Sequence, residues 1–168
     1  KLYFGAFLGL AIGRIAWGEV DMTPSIFIPA WTVWLAVTVL SMSLIIQFKV
    51  RLKDAPWGIV SGYVAYGTSI WAALYLGGPL SAFVGAFALG LYSNTFSRIT
   101  NLPSSIVKLL GLVVLVPGSK VYIGLNSAVS GQNMLSANDL GSQTFLIFMS
   151  LVAGLIFSNV ALPPRKIL

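Results

Sequence analysis

The chain has 168 residues, of which 57% are hydrophobic and only 8% are charged, and its mean hydropathy is +0.91. Because a soluble domain typically carries about 25% charged residues, this composition predicts an integral membrane protein and argues against a soluble one. Cysteine and histidine are absent, which excludes disulfides, thiolate chemistry and imidazole ligands. The net charge of +6 comes from basic residues mostly in predicted loops, where they indicate orientation in a membrane rather than nucleic-acid binding.

The length accommodates six helical spans of about 20 residues with short loops, and leaves no room for a separate soluble domain. The predicted fold is therefore all-α, a polytopic membrane helix bundle forming one transmembrane domain over residues 1–168. The chain opens on Lys1 without a signal-peptide pattern, so we expect a piece of a longer chain or a chain lacking its start. Apolar runs place the spans at about 2–17, 26–48, 57–76, 80–96, 104–129 and 140–162.

Positive charge predicts the orientation of these spans. The loop at 49–54 carries three basic residues and one acid, and is the strongest basic loop in the chain. By the positive-inside rule it lies in the cytoplasm, as do residues 98–103 and the basic tail at 165–168. Both ends of the chain are then cytoplasmic, and Asn138 with Asp139 would cap the last span from outside. The turns expected outside are 18–25, 77–79 and 130–139.

Small residues recur at helical spacing in several predicted spans. Gly58 and Gly62 lie four residues apart in the third span, and Ala86, Gly90 and Asn94 follow the same spacing in the fourth. Small side chains at this spacing allow helix backbones to approach closely. We therefore expect helix packing at Gly58, Gly62, Gly67, Gly85 and Gly90.

The most informative stretch is 106–129, where Pro117-Gly118 interrupts an apolar run. Proline lacks an N–H and clashes with the preceding turn, and glycine favours leaving the helix, so the pair should split one span into two half-helices. The second half would begin near Ser119, a good N-cap, with Lys120 in its first turn. Its free N–H groups and positive dipole end can bind a carboxylate, as broken helices do in secondary transporters. The alternatives are a kinked helix, or two short helices joined at a surface turn.

The polar residues of the predicted spans favour transport over catalysis. All four acids fall in predicted loops, and no histidine can activate a serine, so we expect neither an enzyme nor a metal or cofactor site. Hydroxyls and amides with a few cations suit a small zwitterionic or anionic solute, with Lys120 or Lys108 adding charge. Tyr122 and Asn126, one turn apart, would face one cavity; interhelical hydrogen bonding is the alternative.

Four short pieces of sequence occur in a characteristic order, and the chain ends on Leu162-Pro163-Pro164-Arg165-Lys166. The pieces are Lys53-Asp54-Ala55-Pro56-Trp57-Gly58, then Tyr66-Gly67-Thr68, then Asn94-Thr95-Phe96-Ser97-Arg98 with Pro103, and last Leu115-Val116-Pro117-Gly118-Ser119 with Tyr122. With these features, residues 48–168 resemble the C-terminal membrane domain of the threonine/serine exporter (ThrE) family.

The resemblance implies a secondary transporter that exports small amino acids such as threonine and serine, driven by the proton gradient. Family members are one fused chain or two small subunits, so an N-terminal exporter half is the expected partner. Residues 25–168 would form the C-terminal half, and residues 1–24 the last helix of an upstream half with its linker. In its two-subunit form the family often has a histidine at the aromatic–glycine step, where this chain has Tyr66, so the resemblance carries no proton-relay role over to that position.

The candidate substrate-binding residues join the broken span to polar positions of the other spans. They are Pro117, Gly118, Ser119, Lys120, Tyr122, Asn126, Tyr66, Thr68 and Asn94. The expected surroundings are the lipid bilayer of a bacterial inner membrane, with a homo-oligomer as a further option and no nucleic acid. The alternative functions are export of small dicarboxylates and a non-transporting scaffold subunit of a membrane complex. A channel is less favoured, because no charged ring or repeated filter is present.

Overall fold

The computed structural model describes residues 31–116, Gly118 and 134–164, together with seven positions nearer the start of the chain. These seven are Gly5, Leu8, Gly9, Ile12, Ile15, Ala16 and Pro29. The chain forms two compact units, Lys1–Ala30 and Trp31–Leu168. In the first unit, the described residues before Pro29 are helical and exposed.

The described part of the second unit is built from helices. They are α1 (Trp31–Gln47), α2 (Ala55–Leu76), α3 (Gly78–Thr100), α4 (Ser105–Leu115) and α5 (Met134–Ala161). Among the described residues, α2 and the Gly141–Ala161 part of α5 are long and apolar enough to cross a membrane, whereas α1 and α4 are shorter apolar helices. The predicted all-α fold is confirmed, and two candidate membrane spans support the predicted class. Six spans and a broken helix stay predictions.

A Schellman motif closes the C-terminus of α1. The N–H of Lys49 donates to the carbonyl oxygen of Ile46 at 3.1 Å, and the N–H of Val50 donates to that of Ile45 at 3.0 Å. Lys49 has the left-handed φ of 50° that this motif requires at its turning residue. Val50 packs against the apolar cluster that contains Ile45 and Leu110. The basic loop that follows therefore starts from a fixed backbone position.

One residue joins α2 to α3. Gly77 has a φ of 75°, a left-handed conformation that glycine adopts without steric cost. Gly78 and Pro79, which were predicted to belong to the turn, are instead the first residues of α3. Proline is favoured at this point because the first N–H groups of a helix have no intrahelical partner. So short a connection makes α2 and α3 antiparallel neighbours.

Helix α3 lies at the centre of the packing, in contact with α2, α4 and α5. A Cβ on Gly85 would lie 3.1 Å from the carbonyl oxygen of Ala65 in α2. A Cβ on Gly154 of α5 would lie only 2.5 Å from the carbonyl oxygen of Phe83. Glycine is what allows the helix backbones to approach this closely. Beside this contact, Ala82 and Ala86 of α3 pack against Ile147 and Leu151 of α5.

The start of α5 differs from the prediction. We expected a loop over 130–139 that ended in a cap at Asn138 and Asp139, but α5 already begins at Met134. Leu135 and Ala137 are good helix formers, and their preference extends the helix through the positions that were predicted to cap it.

Candidate functional site

Helix α4 ends just before the predicted interruption of the fifth span. The N–H of Val116 still donates to the carbonyl oxygen of Leu112 at 3.1 Å, but the Val116 backbone is extended, with φ −63° and ψ 126°. Proline disfavours the helical conformation for the residue that precedes it, which accounts for the end at Leu115. Gly118 is exposed, and its N–H donates to the carbonyl oxygen of Val116 at 2.8 Å.

The rest of the predicted half-helix site lies outside the described residues. This holds for Pro117, Ser119, Lys120, Tyr122 and Asn126. A second half-helix that starts near Ser119, and its free N–H groups, therefore stay predictions.

Tyr66 lies in an aromatic cluster between α1 and α2. The Trp34 ring stacks on Tyr63 with ring centroids 5.8 Å apart, and it meets Tyr66 edge to face at the same distance. Gly67 leaves room for this ring, since a Cβ there would lie 3.6 Å from Trp34 Cη2. Thr68 donates its hydroxyl to the carbonyl oxygen of Val64 in its own helix at 2.6 Å. The described contacts of Tyr66 are thus with α1, and the Thr68 hydroxyl is satisfied within α2.

Asn94 is the centre of a polar network that joins α3, α4 and the end of α5. Its side chain is fully buried, and Nδ2 donates to Asn159 Oδ1 at 2.9 Å and to the carbonyl oxygen of Leu162 at 2.8 Å. Lys108 Nζ donates to the same Asn159 oxygen at 3.1 Å. The Asn94 Oδ1 atom is buried without a hydrogen-bond partner among the described residues. Because an unpaired buried acceptor costs about 1–3 kcal/mol, this oxygen is a candidate acceptor for a ligand.

Tyr66 and Asn94 lie at different levels of the bundle. Phe96 of α3 packs on Trp57 of α2 with ring centroids 5.4 Å apart, so Asn94 lies near that end of α2. Tyr66 follows Trp57 by nine residues in α2, which at 1.5 Å of rise per residue is about 13 Å. The described contacts therefore place the two predicted binding residues in separate clusters.

Asn159 was not among the predicted site residues, although it links Asn94 to Lys108. The signal that could have found it is an amide in an otherwise apolar run. Polar side chains within apolar helices commonly hydrogen-bond to neighbouring helices. The contact itself joins residues 65 positions apart in the chain, Asn94 and Asn159.

These features indicate the class of protein. The described part is helical, and two of its helices are long and apolar enough to cross a membrane, as in a polytopic membrane protein. Its buried polar groups are mostly serine hydroxyls, together with the amide of Asn94 and the carboxylate of Asp54. Such groups can hold a small polar solute between helices, and they do not form a general acid–base pair.

A family model described as Threonine/Serine exporter, ThrE, matches residues 32–161. The match covers most of the chain, so the protein belongs to the threonine/serine exporter family, and the resemblance seen in the sequence is confirmed. This is a family of transporters and not of enzymes. No curated protein and no solved structure matches the chain.

Proposed function

We propose that the protein is one half of a secondary transporter that exports threonine, serine and similar small amino acids, coupled to the proton gradient. The observation that carries this proposal is the family match over residues 32–161. The buried serine hydroxyls of α2 and α3 and the buried amide of Asn94 support it, because they suit a polar solute better than an acid–base reaction.

The proposed substrate site is the break after α4. The extended backbone at Val116 supports a chain that leaves the helix there. In the proposal, a half-helix that starts near Ser119 points its free N–H groups at the carboxylate of the substrate, and Lys120 adds positive charge. Tyr122 and Asn126 line the same space one turn further on. Tyr66, Thr68 and Asn94 contribute polar groups along the route through the bundle.

The proposed setting is the inner membrane of a bacterial cell, with both ends of this chain on the cytoplasmic side. The basic loop at 49–54 supports that orientation. The N-terminal exporter half, in the same chain or in a separate subunit, is the proposed partner. It would also supply a proton-carrying acid that the apolar spans of this chain lack.

Two substitutions test the site assignment. Gly118→Leu should obstruct the break, and Lys120→Ala should remove its charge, so each should abolish threonine efflux from loaded cells while the protein still inserts. Gly141→Leu is the matched glycine control, since a Cβ at Gly118 or at Gly141 meets no atom within 4 Å. Lys53→Ala is the matched lysine control, because Lys53 is exposed in the basic loop. Unchanged efflux in both test variants would show that the site is assigned wrongly.

A further inference from the structure

A cavity of about 420 Å³ lies where the basic loop after α1 meets the start of α4. Its charged and polar lining consists of Lys49, Arg51, Asp54 and Ser105, and the rest of the lining is apolar, as at Ile106. Small-molecule sites commonly have volumes of about 300–1,000 Å³, mostly apolar walls and a few placed polar groups. The cavity thus has the size and the lining of a ligand site.

Asp54 is the unexpected member of this lining. The sequence analysis treated it as a loop acid, but it is only 7% exposed. It occupies the N-cap position of α2, where aspartate usually accepts a hydrogen bond from the helix backbone, yet its side chain makes no such bond. Burial of a carboxylate is costly unless a donor or a cation meets it. A carboxylate that lines a cavity and does not cap its helix therefore points to a ligand with a positive group.

The two basic residues of the lining belong to one loop, whose backbone is fixed by hydrogen bonds. The Schellman motif fixes Lys49, and the N–H of Asp54 donates to the carbonyl oxygen of Arg51 at 2.9 Å. The N–H of Gly58 then donates to the carbonyl oxygen of Asp54 at 3.1 Å, which joins the loop to α2. Ser105, in the first turn of α4, adds a hydroxyl beside the positive end of that helix dipole. The cavity therefore presents positive and negative groups at positions set by ordered backbone.

We propose that this cavity is the cytoplasmic loading site of the exporter, and that it binds the zwitterionic backbone of an amino acid. Lys49 and Arg51 bind the α-carboxylate, and Asp54 binds the α-ammonium group. The inference rests on the proposed function, because an exported solute must first bind on the side where the basic loop lies. It also gives a physical basis for substrate selectivity. Asp54 attracts an ammonium group and repels a second carboxylate, so the site selects amino acids over dicarboxylates.

The test uses the full protein, with threonine and succinate as radiolabelled probes. Equilibrium binding to the purified protein and efflux from loaded cells are measured for Asp54→Asn, Arg51→Gln and the control Lys53→Gln. Lys53 is exposed in the same loop and does not line the cavity. A hydrogen bond to a charged group contributes about 1.5–3 kcal/mol, so each test variant should weaken threonine binding about 10-fold or more, and Lys53→Gln should leave it unchanged. Asp54→Asn should also narrow the preference for threonine over succinate.

The outcomes separate this inference from the proposed function. If the wild-type protein exports threonine and Asp54→Asn and Arg51→Gln both bind it with wild-type affinity, the loading site is wrong and the exporter stands. If the wild-type protein neither binds nor exports threonine, the proposed function is wrong, and the loading site that rests on it is wrong as well. Because the Asp54 side chain makes no capping hydrogen bond and Arg51 lies outside the helices, neither variant should prevent folding. Co-purification of an anionic lipid that Arg51→Gln releases, without threonine binding, would show that the cavity binds lipid and overturn the proposal.

Discussion

Replacing Gly154 with alanine should loosen the contact between α3 and α5. The added Cβ would lie 2.5 Å from the carbonyl oxygen of Phe83 and 3.0 Å from the backbone nitrogen of Phe87. Real Cβ atoms essentially never approach other atoms closer than 3.0 Å, so α5 must move away by about half an ångström at this point. Backbone atoms cannot rotate out of the way as a flexible side chain can.

The expected cost follows from what that movement disturbs. Ile147 and Leu151 pack against α3 on the same side of α5, and Asn159 bonds to Asn94 further along it. Overpacking of this kind costs about 1–3 kcal/mol, whereas alanine in place of glycine gains about 1 kcal/mol of helix propensity. Gly141→Ala, in the same helix with no atom within 4 Å of its Cβ, should show the gain alone. The difference between the two variants therefore isolates the packing cost.

The assay is the thermal unfolding of both variants, purified in the same detergent, with the wild-type protein beside them. Gly154→Ala should melt below Gly141→Ala, by about 2–4 °C for each kcal/mol in a chain of this size. If Gly154→Ala were as stable as Gly141→Ala or more stable, the close approach of α3 and α5 would be refuted.

Three further substitutions test individual contacts, the first two by thermal unfolding and the third by hydrogen exchange. Asn94→Leu removes a buried donor that makes two hydrogen bonds, and should cost about 1–3 kcal/mol; an unchanged melting temperature would contradict the polar network. Tyr63→Phe removes the hydroxyl that hydrogen-bonds to Thr38, and should lower the free energy of unfolding by about 1 kcal/mol. Because Thr38→Val removes the same hydrogen bond, the double variant should lose less than the sum of the two single variants. Arg98→Lys removes the guanidinium group, whose Nε and Nη2 both donate to the carbonyl oxygen of Pro163, so backbone hydrogen exchange near Pro163 should become faster. An unchanged exchange rate would show that Arg98 does not anchor the segment after α5.

Local signals in the sequence predicted the positions of α2 and α3 to within a few residues. The third and fourth spans were expected at 57–76 and 80–96, and the helices run over Ala55–Leu76 and Gly78–Thr100. Gly77 and Asn101, which both have left-handed φ values, directly follow the last residues of α2 and α3. Such residues act through their own backbone preferences, and a sequence therefore reveals them directly.

Contacts between distant segments could not be predicted in the same way. The bond between Asn94 and Asn159, and the burial of Asp54, depend on how separate helices come together. Gly154 was also missed, although Ser158 follows it at the spacing of a small-residue face, because spacing does not show which backbone lies opposite. The positions 119–133, which hold most of the proposed substrate site, lie outside the described residues, and that part of the site is still a sequence prediction.

The export of small amino acids is the central claim, and efflux from loaded cells tests it most directly. Cells with and without the full protein are loaded with radiolabelled threonine, serine or succinate, and the loss of each label is followed before and after a protonophore is added. The account predicts that threonine and serine leave faster from cells that contain the protein, that the protonophore removes this difference, and that succinate shows little effect. Equal loss of both amino acids with and without the protein, or accelerated loss of succinate alone, would contradict it.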